Sequence, residues 1–252
     1  MYPELSGKHA LVTGAARGFG RAIAIRLAQE GVKVIVNYRR SKSDARKVAD
    51  EITALGGFAI PLRADIGNEE SLDELFDIIK SEFGCLDIVV ANAAFGVPGE
   101  IMNAKTRYWD LTMHASAHSL LWLAQRAVPL MTGNWGRIIS ITSEGGQKVL
   151  PGYGIIGVAK AALESLSRSL AVELAGKGIL VNGVLAGIAD TKSFRAIPGA
   201  QEKIREVESR TPLGRMVTPE DIARVVAFLV SDQAQMICGQ FIVVDGGRMV
   251  LG

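Results

Sequence analysis

The sequence predicts one α/β domain, in which a doubly wound, seven-stranded parallel sheet has helices on both faces. Three observations lead to this prediction. The chain has 252 residues, the size of one large α/β domain or of two small ones. Apolar residues make up 48% of it, enough to bury a full core. Short apolar runs alternate with longer helical patterns, which is typical of parallel strands joined by helices.

Seven short apolar runs are predicted as strands, and amphipathic patterns predict helices in most of the gaps between them. The strands are His9–Thr13, Lys33–Asn37, Ala59–Arg63, Asp87–Ala91, Arg137–Ile141, Ile179–Val184 and Gln240–Val244. The helices are Gly20–Gln29, Ser43–Leu55, Glu69–Phe83, Trp109–Val128, Tyr153–Leu174 and Pro219–Val230. No Ser-rich or Gly-rich stretch separates these elements, so we expect one domain over residues 1–252.

One long segment, residues 187–217, interrupts a connection that should be short. A helical pattern within it, Gln201–Ser209, favours a folded lid over a disordered loop. Its apolar residues Phe194, Ile197 and Ile204 are expected to close over an apolar ligand.

The composition excludes several classes of protein. The net charge is only +2, so nucleic acid is not expected as the main partner. Neither a signal-peptide pattern nor a run of about 18 apolar residues occurs, so no membrane association is expected. Cys85 and Cys238 form no disulfide framework and no CxxC pair, which indicates a reducing cytoplasm.

A glycine-rich turn, Thr13–Gly20, lies between the first predicted strand and the first helix. Gly14, Gly18 and Gly20 let the backbone turn sharply and approach a pyrophosphate, whose charge then meets the helix amides. A purely structural turn is the alternative. The position after a strand and before an amphipathic helix favours phosphate binding.

The choice of cofactor is read at the end of the second strand, where NAD enzymes of this fold carry an acid. The stretch Asn37–Ser41 contains none. Arg39, together with Arg17 from the glycine-rich turn, is expected to hold the 2′-phosphate of NADPH. The alternative is that both are solvated surface arginines.

Two further polar residues follow predicted strands. Asp65 comes after the third strand and Asn92 after the fourth, at the edge where ligands of open α/β sheets bind. The local sequence fits ordinary turn or capping roles nearly as well.

Taken together, these motifs resemble those of the short-chain dehydrogenases/reductases over the whole chain. The resemblance includes the Thr13–Gly20 turn and Asn92-Ala93-Ala94. It also includes Ser143 with Tyr153 and Lys160, Asn182, and Asp245-Gly246-Gly247.

That resemblance implies a Rossmann fold, the catalytic group Ser143, Tyr153 and Lys160, and a homotetramer that uses the fourth and fifth predicted helices and the last strand as contact surfaces. It also implies a set of cofactor-binding residues: Gly14, Arg17, Gly18, Phe19, Gly20, Arg39, Asp65, Ile66, Asn92, Lys160, Gly187 and Thr191.

The spacing of the Tyr and the Lys departs from the common pattern of that superfamily. Most members place the Tyr four residues before the Lys, but position 156 is Ile156 here and the nearby Tyr is Tyr153. Four residues of helix turn by about 400° and seven by about 700°, so both keep Tyr on the Lys160 face, one turn further away. This Tyr-x6-Lys spacing most resembles the NADPH-dependent type III enoyl-acyl-carrier-protein reductases.

Enoyl reduction is consistent with a displaced phenol. Hydride goes to the β-carbon of the enoyl thioester, while negative charge develops on the carbonyl oxygen two carbons away. Tyr153 would donate a hydrogen bond to that oxygen. Lys160 would bind the nicotinamide ribose and favour ionisation of Tyr153, and Ser143 would add a polar contact to the thioester. The structural alternative is a half-buried Tyr and a Lys extending to solvent from an amphipathic helix.

A second departure lies in the fourth predicted helix. Ser116 stands where the superfamily has an Asn that supports a proton-relay water. A relay to Tyr153 is less needed if the proton for the α-carbon comes from water rather than from the phenol.

No metal site is predicted. His114 and His118 have i, i+4 spacing but lack the acid of an HExxH motif, and Cys does not cluster nearby. Trp109 and Trp122 are expected in the core or at a subunit interface.

Three classes of function remain open. The first is NADPH-dependent reduction of an enoyl thioester on acyl carrier protein or coenzyme A, in fatty-acid or polyketide metabolism. The second is a carbonyl reductase or alcohol dehydrogenase that acts on a specialised metabolite. The third is a non-enzymatic dinucleotide sensor or scaffold. Between Thr191 and Arg215, six basic residues stand against three acidic ones, which fits docking of an acidic carrier and equally a solvated loop helix.

Overall fold

The computed structural model describes residues 1–191, 195 and 200–251. Seven parallel strands form one sheet: β1 (His9–Val12), β2 (Lys33–Tyr38), β3 (Phe58–Arg63), β4 (Ile88–Ala91), β5 (Gly136–Ser143), β6 (Ile179–Ala186) and β7 (Phe241–Val244). Each lies within two residues of a predicted strand at both ends. The predicted doubly wound, seven-stranded fold is therefore confirmed.

The helices likewise follow the sequence pattern, with one interruption. They are α1 (Gly18–Gln29), α2 (Lys42–Ala54), α3 (Glu69–Phe83), α4 (Thr106–Met113), α5 (Ser119–Ala127), α6 (Gly154–Ala175), α7 (Ala200–Ser209) and α8 (Pro219–Val230). Among the described residues no helix is both long enough and apolar enough to cross a bilayer.

The strand order is β3-β2-β1-β4-β5-β6-β7. The chain therefore leaves β1 toward one edge of the sheet and leaves β4 toward the other. Connections that diverge in this way open a crevice at the carboxyl ends of the two strands, where ligands bind in doubly wound sheets.

The core has two layers because side chains of buried strands alternate between the faces of the sheet. In β1, Ala10 and Val12 belong to the layer under α1, α2 and α8. Leu11 belongs to the opposite layer, under α3, α5 and α6. All three side chains are fully buried, so the strand is buried on both faces, as its continuous apolar run predicts.

The single long helix predicted over Trp109–Val128 is interrupted in the structure. A π-helical turn, His114–His118, joins α4 to α5. The hydroxyl of Ser119, the first residue of α5, donates to the carbonyl oxygen of Ser116 in this turn at 2.9 Å. Such hydroxyl contacts compete with the backbone for helical carbonyl groups, and apolar periodicity does not register them. Single π turns often mark functional sites.

Candidate active site

The predicted glycine-rich turn follows β1 and is held by side chains from neighbouring strands. Gly14 has φ +63°, a conformation that favours glycine, and a Cβ there would lie 2.9 Å from the Cβ of Ala93. The Thr13 hydroxyl donates to the Val90 carbonyl and accepts from the amides of Asn92 and Ala93. The turn is therefore a fixed cradle into which a Cβ would intrude.

Helix α1 begins at the end of this turn, close to β4. A Cβ at Gly20 would lie 2.5 Å from the carbonyl oxygen of Gly14, so glycine is required for close packing. The first amides of a helix have no partner within the helix and attract anions. The turn and α1 together fit a pyrophosphate.

Two Asn side chains hold the floor of this site. Asn92 donates through Nδ2 to the carbonyl of Thr13 at 2.8 Å. Asn37, at the end of β2, accepts from the Gly14 amide through Oδ1 and donates through Nδ2 to the Ala64 carbonyl. Asn37 is buried and was missed as a site residue, because a polar residue inside a strand gives no signal of the neighbour it meets.

A cleft of about 1050 Å³ opens at the carboxyl ends of the strands. Nine of the predicted cofactor-binding residues line it: Gly14, Arg17, Gly18, Phe19, Arg39, Asp65, Ile66, Asn92 and Thr191. Gly20, Lys160 and Gly187 do not. A Cβ at Gly187 would lie 2.8 Å from the Cα of Asp245, so this glycine allows the backbone at 187 to pack closely on Asp245. Pro219 and Glu220 at the start of α8 also line the cleft, without having been predicted.

Positive side chains gather where β2 and β3 end. Arg39 pairs with Asp65 at 3.4 Å, and both side chains are about two-fifths exposed. A smaller cavity beside them, of about 320 Å³, is lined by Arg39, Arg40 and Arg63, together with Ser71 and the acidic residues Asp65 and Glu74. The Asp65 carboxylate also accepts from the Gly67 amide, in the turn role that its local sequence allowed. These arginines fit a phosphate group, although the Arg39 guanidinium already forms an ion pair with the Asp65 carboxylate.

The predicted catalytic side chains partly converge. The hydroxyl oxygens of Ser143 and Tyr153 lie 3.2 Å apart. Tyr153 is the residue immediately before α6, and its ring packs on Gly145, where a Cβ would lie 2.3 Å from a ring carbon. The sequence analysis predicted Tyr153 as the first residue of the helix. In the structure its amide donates to the Leu150 carbonyl, and its own carbonyl accepts the first helical hydrogen bond, from the Gly157 amide, so Tyr153 caps the helix.

Lys160 lies on α6 but is directed at β5. Its Nζ donates to the carbonyl of Ile141 at 2.7 Å. Burial lowers the pKa of Lys160 to about 8, and the nearby Glu164 carboxylate opposes that shift. Among the described residues, no hydrogen bond joins Lys160 to Tyr153.

A buried acid next to Lys160 is a second feature that the sequence analysis did not assign. Glu164 accepts from the Thr142 hydroxyl at 2.8 Å and from Nε2 of Gln147 at 3.2 Å. Its side chain is buried, and a Cβ at Gly146 would lie 2.6 Å from Oε1. A carboxylate one helical turn after a Lys is common on solvated helix faces, so the sequence does not distinguish Glu164 from a surface acid. Its burial in the structure does.

Ile156, at the position of the common catalytic Tyr, packs on the loop after β4. A Cβ at Gly96 would lie 2.4 Å from Cγ1 of Ile156. Ile156 therefore fills apolar space between α6 and this loop.

The predicted lid is described only in part. Asp190 forms an ion pair with Arg195, which lowers the pKa of the Asp190 carboxyl. The predicted helix Gln201–Ser209 is present as α7, with Val207 buried. Phe194, Ile197 and Lys192 lie outside the described residues, as does the side chain of Lys203.

Known proteins match this chain over nearly its full length. Residues 14–248 match the family model described as "Enoyl-(Acyl carrier protein) reductase". Enoyl-[acyl-carrier-protein] reductase [NADH] FabI of Synechocystis sp. is 39% identical, and the match covers 99% of each chain. 3-oxoacyl-[acyl-carrier-protein] reductase FabG of Staphylococcus aureus is 36% identical over 95% of this chain and 97% of its own.

A solved structure agrees with these relatives. The short-chain dehydrogenase from Burkholderia cenocepacia in complex with NADP superposes with a TM-score of 0.90 at 33% identity, covering 97% of this chain and 99% of its own. The fold, the glycine cradle and the sequence matches agree. The chain therefore belongs to the short-chain dehydrogenase/reductase superfamily, within the family described as enoyl-(acyl carrier protein) reductase.

Proposed function

We propose that this protein is an oxidoreductase that reduces the α,β double bond of an enoyl thioester with NADPH. The observation that carries the proposal is the position of the phenol: Tyr153 lies just before α6, beside Ser143, while Ile156 occupies the common Tyr position and packs on Gly96. The proposed substrate is an acyl group on acyl carrier protein or coenzyme A. The relative from Synechocystis supports the same reaction class.

The residues divide the proposed reaction between them. The bound cofactor supplies the hydride that reaches the β-carbon. Charge then develops on the thioester carbonyl oxygen, to which Tyr153 donates a hydrogen bond while Ser143 holds the phenol in place. Lys160 is proposed to hold the ribose and, in its charged form, to favour that negative charge, which requires its Nζ to turn from the Ile141 carbonyl toward the cleft. Water supplies the proton for the α-carbon, so Tyr153 need not be reprotonated through a relay.

A second candidate function is reduction of a carbonyl group. The close pair of Ser143 and Tyr153 hydroxyls is the observation that favours it, since two donors on one oxygen also suit a ketone. The relative from Staphylococcus aureus, a 3-oxoacyl reductase, supports this alternative.

One assay separates the two candidates. NADPH consumption is followed at constant protein with a crotonyl thioester and then with an acetoacetyl thioester. The proposal expects turnover of the crotonyl substrate, at a kcat/KM well above that for the acetoacetyl substrate. The reverse preference would assign carbonyl reduction, and turnover of neither would leave the sensor or scaffold class or a different substrate.

The proposed cofactor is NADPH, because Arg39 and Arg17 line the cleft and Arg40 and Arg63 lie next to Arg39. Arg39 would exchange Asp65 for the 2′-phosphate at little cost, because exposed ion pairs contribute only about 0–1 kcal/mol. A charge-assisted bond contributes about 1.5–3 kcal/mol.

Arg39→Ala should therefore weaken NADPH binding by roughly 10- to 150-fold and NADH binding far less. Arg46→Ala, which removes an exposed arginine of α2 outside the cleft, is the matched control. Fluorescence titration with both cofactors measures the effect. Equal affinities of the unmodified protein for NADPH and NADH would contradict the proposal.

We also propose three features that go with this function. They are a lid over residues 187–217, docking of an acidic carrier on the basic residues of that lid, and a homotetramer. The ion pair of Arg195 with Asp190, a residue that lines the cleft, supports the lid. Docking of an acidic carrier should make the rate with carrier-linked substrate fall as the salt concentration rises, while the rate with a short uncharged thioester should stay unchanged.

The unpaired Cys85 and Cys238 support a cytoplasmic location.

A further inference from the structure

Three side chains that are far apart in the sequence meet at the amino-terminal edge of the sheet. His9 begins β1, Asp87 immediately precedes β4, and Cys85 lies in the connection between α3 and β4. The cofactor cleft lies at the carboxyl ends of the same strands, on the opposite edge. The cluster is therefore separate from the candidate active site.

The three potential ligand atoms have the separations of a metal site. Nδ1 of His9 lies 3.4 Å from Sγ of Cys85 and 3.6 Å from Oδ2 of Asp87, and all three atoms lie within 4.8 Å of one another. A tetrahedral zinc ion with S, N and O ligands needs ligand-to-ligand separations of about 3.3–3.6 Å. The two separations from Nδ1 fit this range, whereas the separation of the Cys85 and Asp87 ligand atoms, which is within 4.8 Å, can shorten when an ion binds.

The same geometry argues against a Cys-His-Asp catalytic relay. Such a relay uses one imidazole nitrogen for the nucleophile and the other for the acid. Here both Cys85 and Asp87 face Nδ1 of His9. Two potential ligand atoms that face the same imidazole nitrogen fit a metal-ligand set better than a proton path.

The surrounding contacts hold these ligands in place. Oδ2 of Asp87 accepts the backbone amide of His9 at 2.8 Å, and Oδ1 accepts from Nζ of Lys8 at 3.1 Å. The His9 ring packs on Phe83, with 5.2 Å between the ring centroids. His9 and Asp87 are each 13% exposed, so solvent reaches the cluster and can supply a fourth ligand.

The charge balance suits a divalent ion once the thiol ionises. A thiolate and a carboxylate supply two negative charges, and His9 is a neutral ligand whose pKa is lowered by burial and Lys33. Lys8 and Lys33 face the cluster and oppose a cation. Burial raises the pKa of the Cys85 thiol, so metal binding must displace a proton and should strengthen as pH rises.

We propose that His9, Cys85 and Asp87 bind a divalent transition-metal ion of the zinc class, with water in the fourth position. A thiolate, an imidazole and a carboxylate are the donors that such ions accept. The ion would join the start of β1 to the loop before β4 and stabilise the fold rather than take part in turnover.

Cobalt(II) titration tests this site, because a Co²⁺–thiolate bond gives a charge-transfer absorption in the near ultraviolet. The unmodified protein should show that absorption at one equivalent of Co²⁺, and Zn²⁺ should displace it. Cys85→Ser should abolish it. Cys238→Ser, which removes the other described cysteine, should retain it and is the matched control.

Further variants complete the test. His9→Gln should abolish or shift the band, whereas His118→Ala should leave it unchanged, which excludes the stacked pair His114 and His118 as the binding site. Zn²⁺ should raise the melting temperature of the unmodified protein and of Cys238→Ser, but not of Cys85→Ser. Absence of a thiolate band, or its persistence in Cys85→Ser, would overturn the proposal. Crotonyl-thioester turnover, measured separately, should be unchanged in Cys85→Ser.

Discussion

Tyr153 and Ile156 determine where a phenol can act in this molecule. The Tyr153 hydroxyl lies 3.2 Å from that of Ser143, and its ring is seated on Gly145. Ile156 is packed on Gly96, in the loop after β4. The displaced phenol is thus supported on both sides by its neighbours.

Tyr153→Phe should reduce kcat for the crotonyl thioester by ~10²–10³ and leave the NADPH affinity nearly unchanged, because the hydroxyl acts as charge develops. Steady-state kinetics together with a binding titration measure both quantities. Introducing Ile156→Tyr into that variant should not restore enoyl reduction. Full recovery would show that the position of the phenol does not select the reaction.

Lys160 provides a pH-dependent signature. Its pKa of about 8 lies below the usual 10.5, so between these values the unfolded chain binds more protons than the folded one. The free energy of unfolding should therefore gain a contribution as pH rises through this window. If the ammonium supports catalysis, turnover should fall as pH rises through about 8.

Glu164→Gln should move that fall in turnover to lower pH, because the Glu164 carboxylate raises the pKa of Lys160. Glu173→Gln, which changes an exposed acid on the same helix, is the control and should not move it. Profiles of kcat against pH distinguish the two variants. A fall that stays in place in Glu164→Gln would mean that Lys160 does not control the rate.

Among the helices whose amino-terminal caps the structure describes, α8 is the one with a complete capping box. Thr218 and Asp221 form a reciprocal capping box, and Arg215 donates two hydrogen bonds to the Asp221 carboxylate. These contacts place Pro219 and Glu220 on the wall of the cofactor cleft. The cap therefore connects helix stability to the shape of the site.

Asp221→Ala should lower the free energy of unfolding by about 1 kcal/mol, as expected when a cap is lost. Arg215 lowers the pKa of Asp221 from 3.8 to about 2, so the native carboxylate contributes fully above pH 3.8. The difference between the two proteins should shrink as pH falls from there toward 2. Urea unfolding at several pH values measures it, with Glu220→Ala as the control that keeps the capping box.

For the whole molecule, exposed apolar side chains mark the proposed subunit contacts. Val158 and Val172 on α6, and Trp109 and Leu111 on α4, are exposed by between 38% and 82%. These helices are the surfaces that the sequence analysis expected a homotetramer to use. Trp122, by contrast, packs against the core beneath α5.

Val172→Arg should break the proposed assembly, since it places a charge on a surface that a second copy would bury. Light scattering should give the mass of four chains for the unmodified protein and a smaller mass for this variant. Val149→Arg changes an even more exposed valine outside these helices and should leave the mass unchanged. A monomeric unmodified protein would rule the tetramer out.

The sequence by itself determined the fold class, the order of the elements and the cradle for the cofactor. These features depend on local patterns: apolar runs predict buried strands, amphipathic periods predict helices, and Gly14 and Gly20 meet the steric demands of one short turn. The spacing of Tyr153 and Lys160 was also readable, because both belong to one continuous stretch of chain.

Only the tertiary structure decided which side chains meet across long separations. Asn37 reaches the Gly14 amide, Glu164 is buried next to Lys160, and Lys160 contacts a carbonyl of β5. The π turn at His114–His118 and the meeting of His9 with Cys85 likewise follow from packing. Local patterns record the period of an element but not its neighbours, and burial by those neighbours sets the chemistry of each polar group.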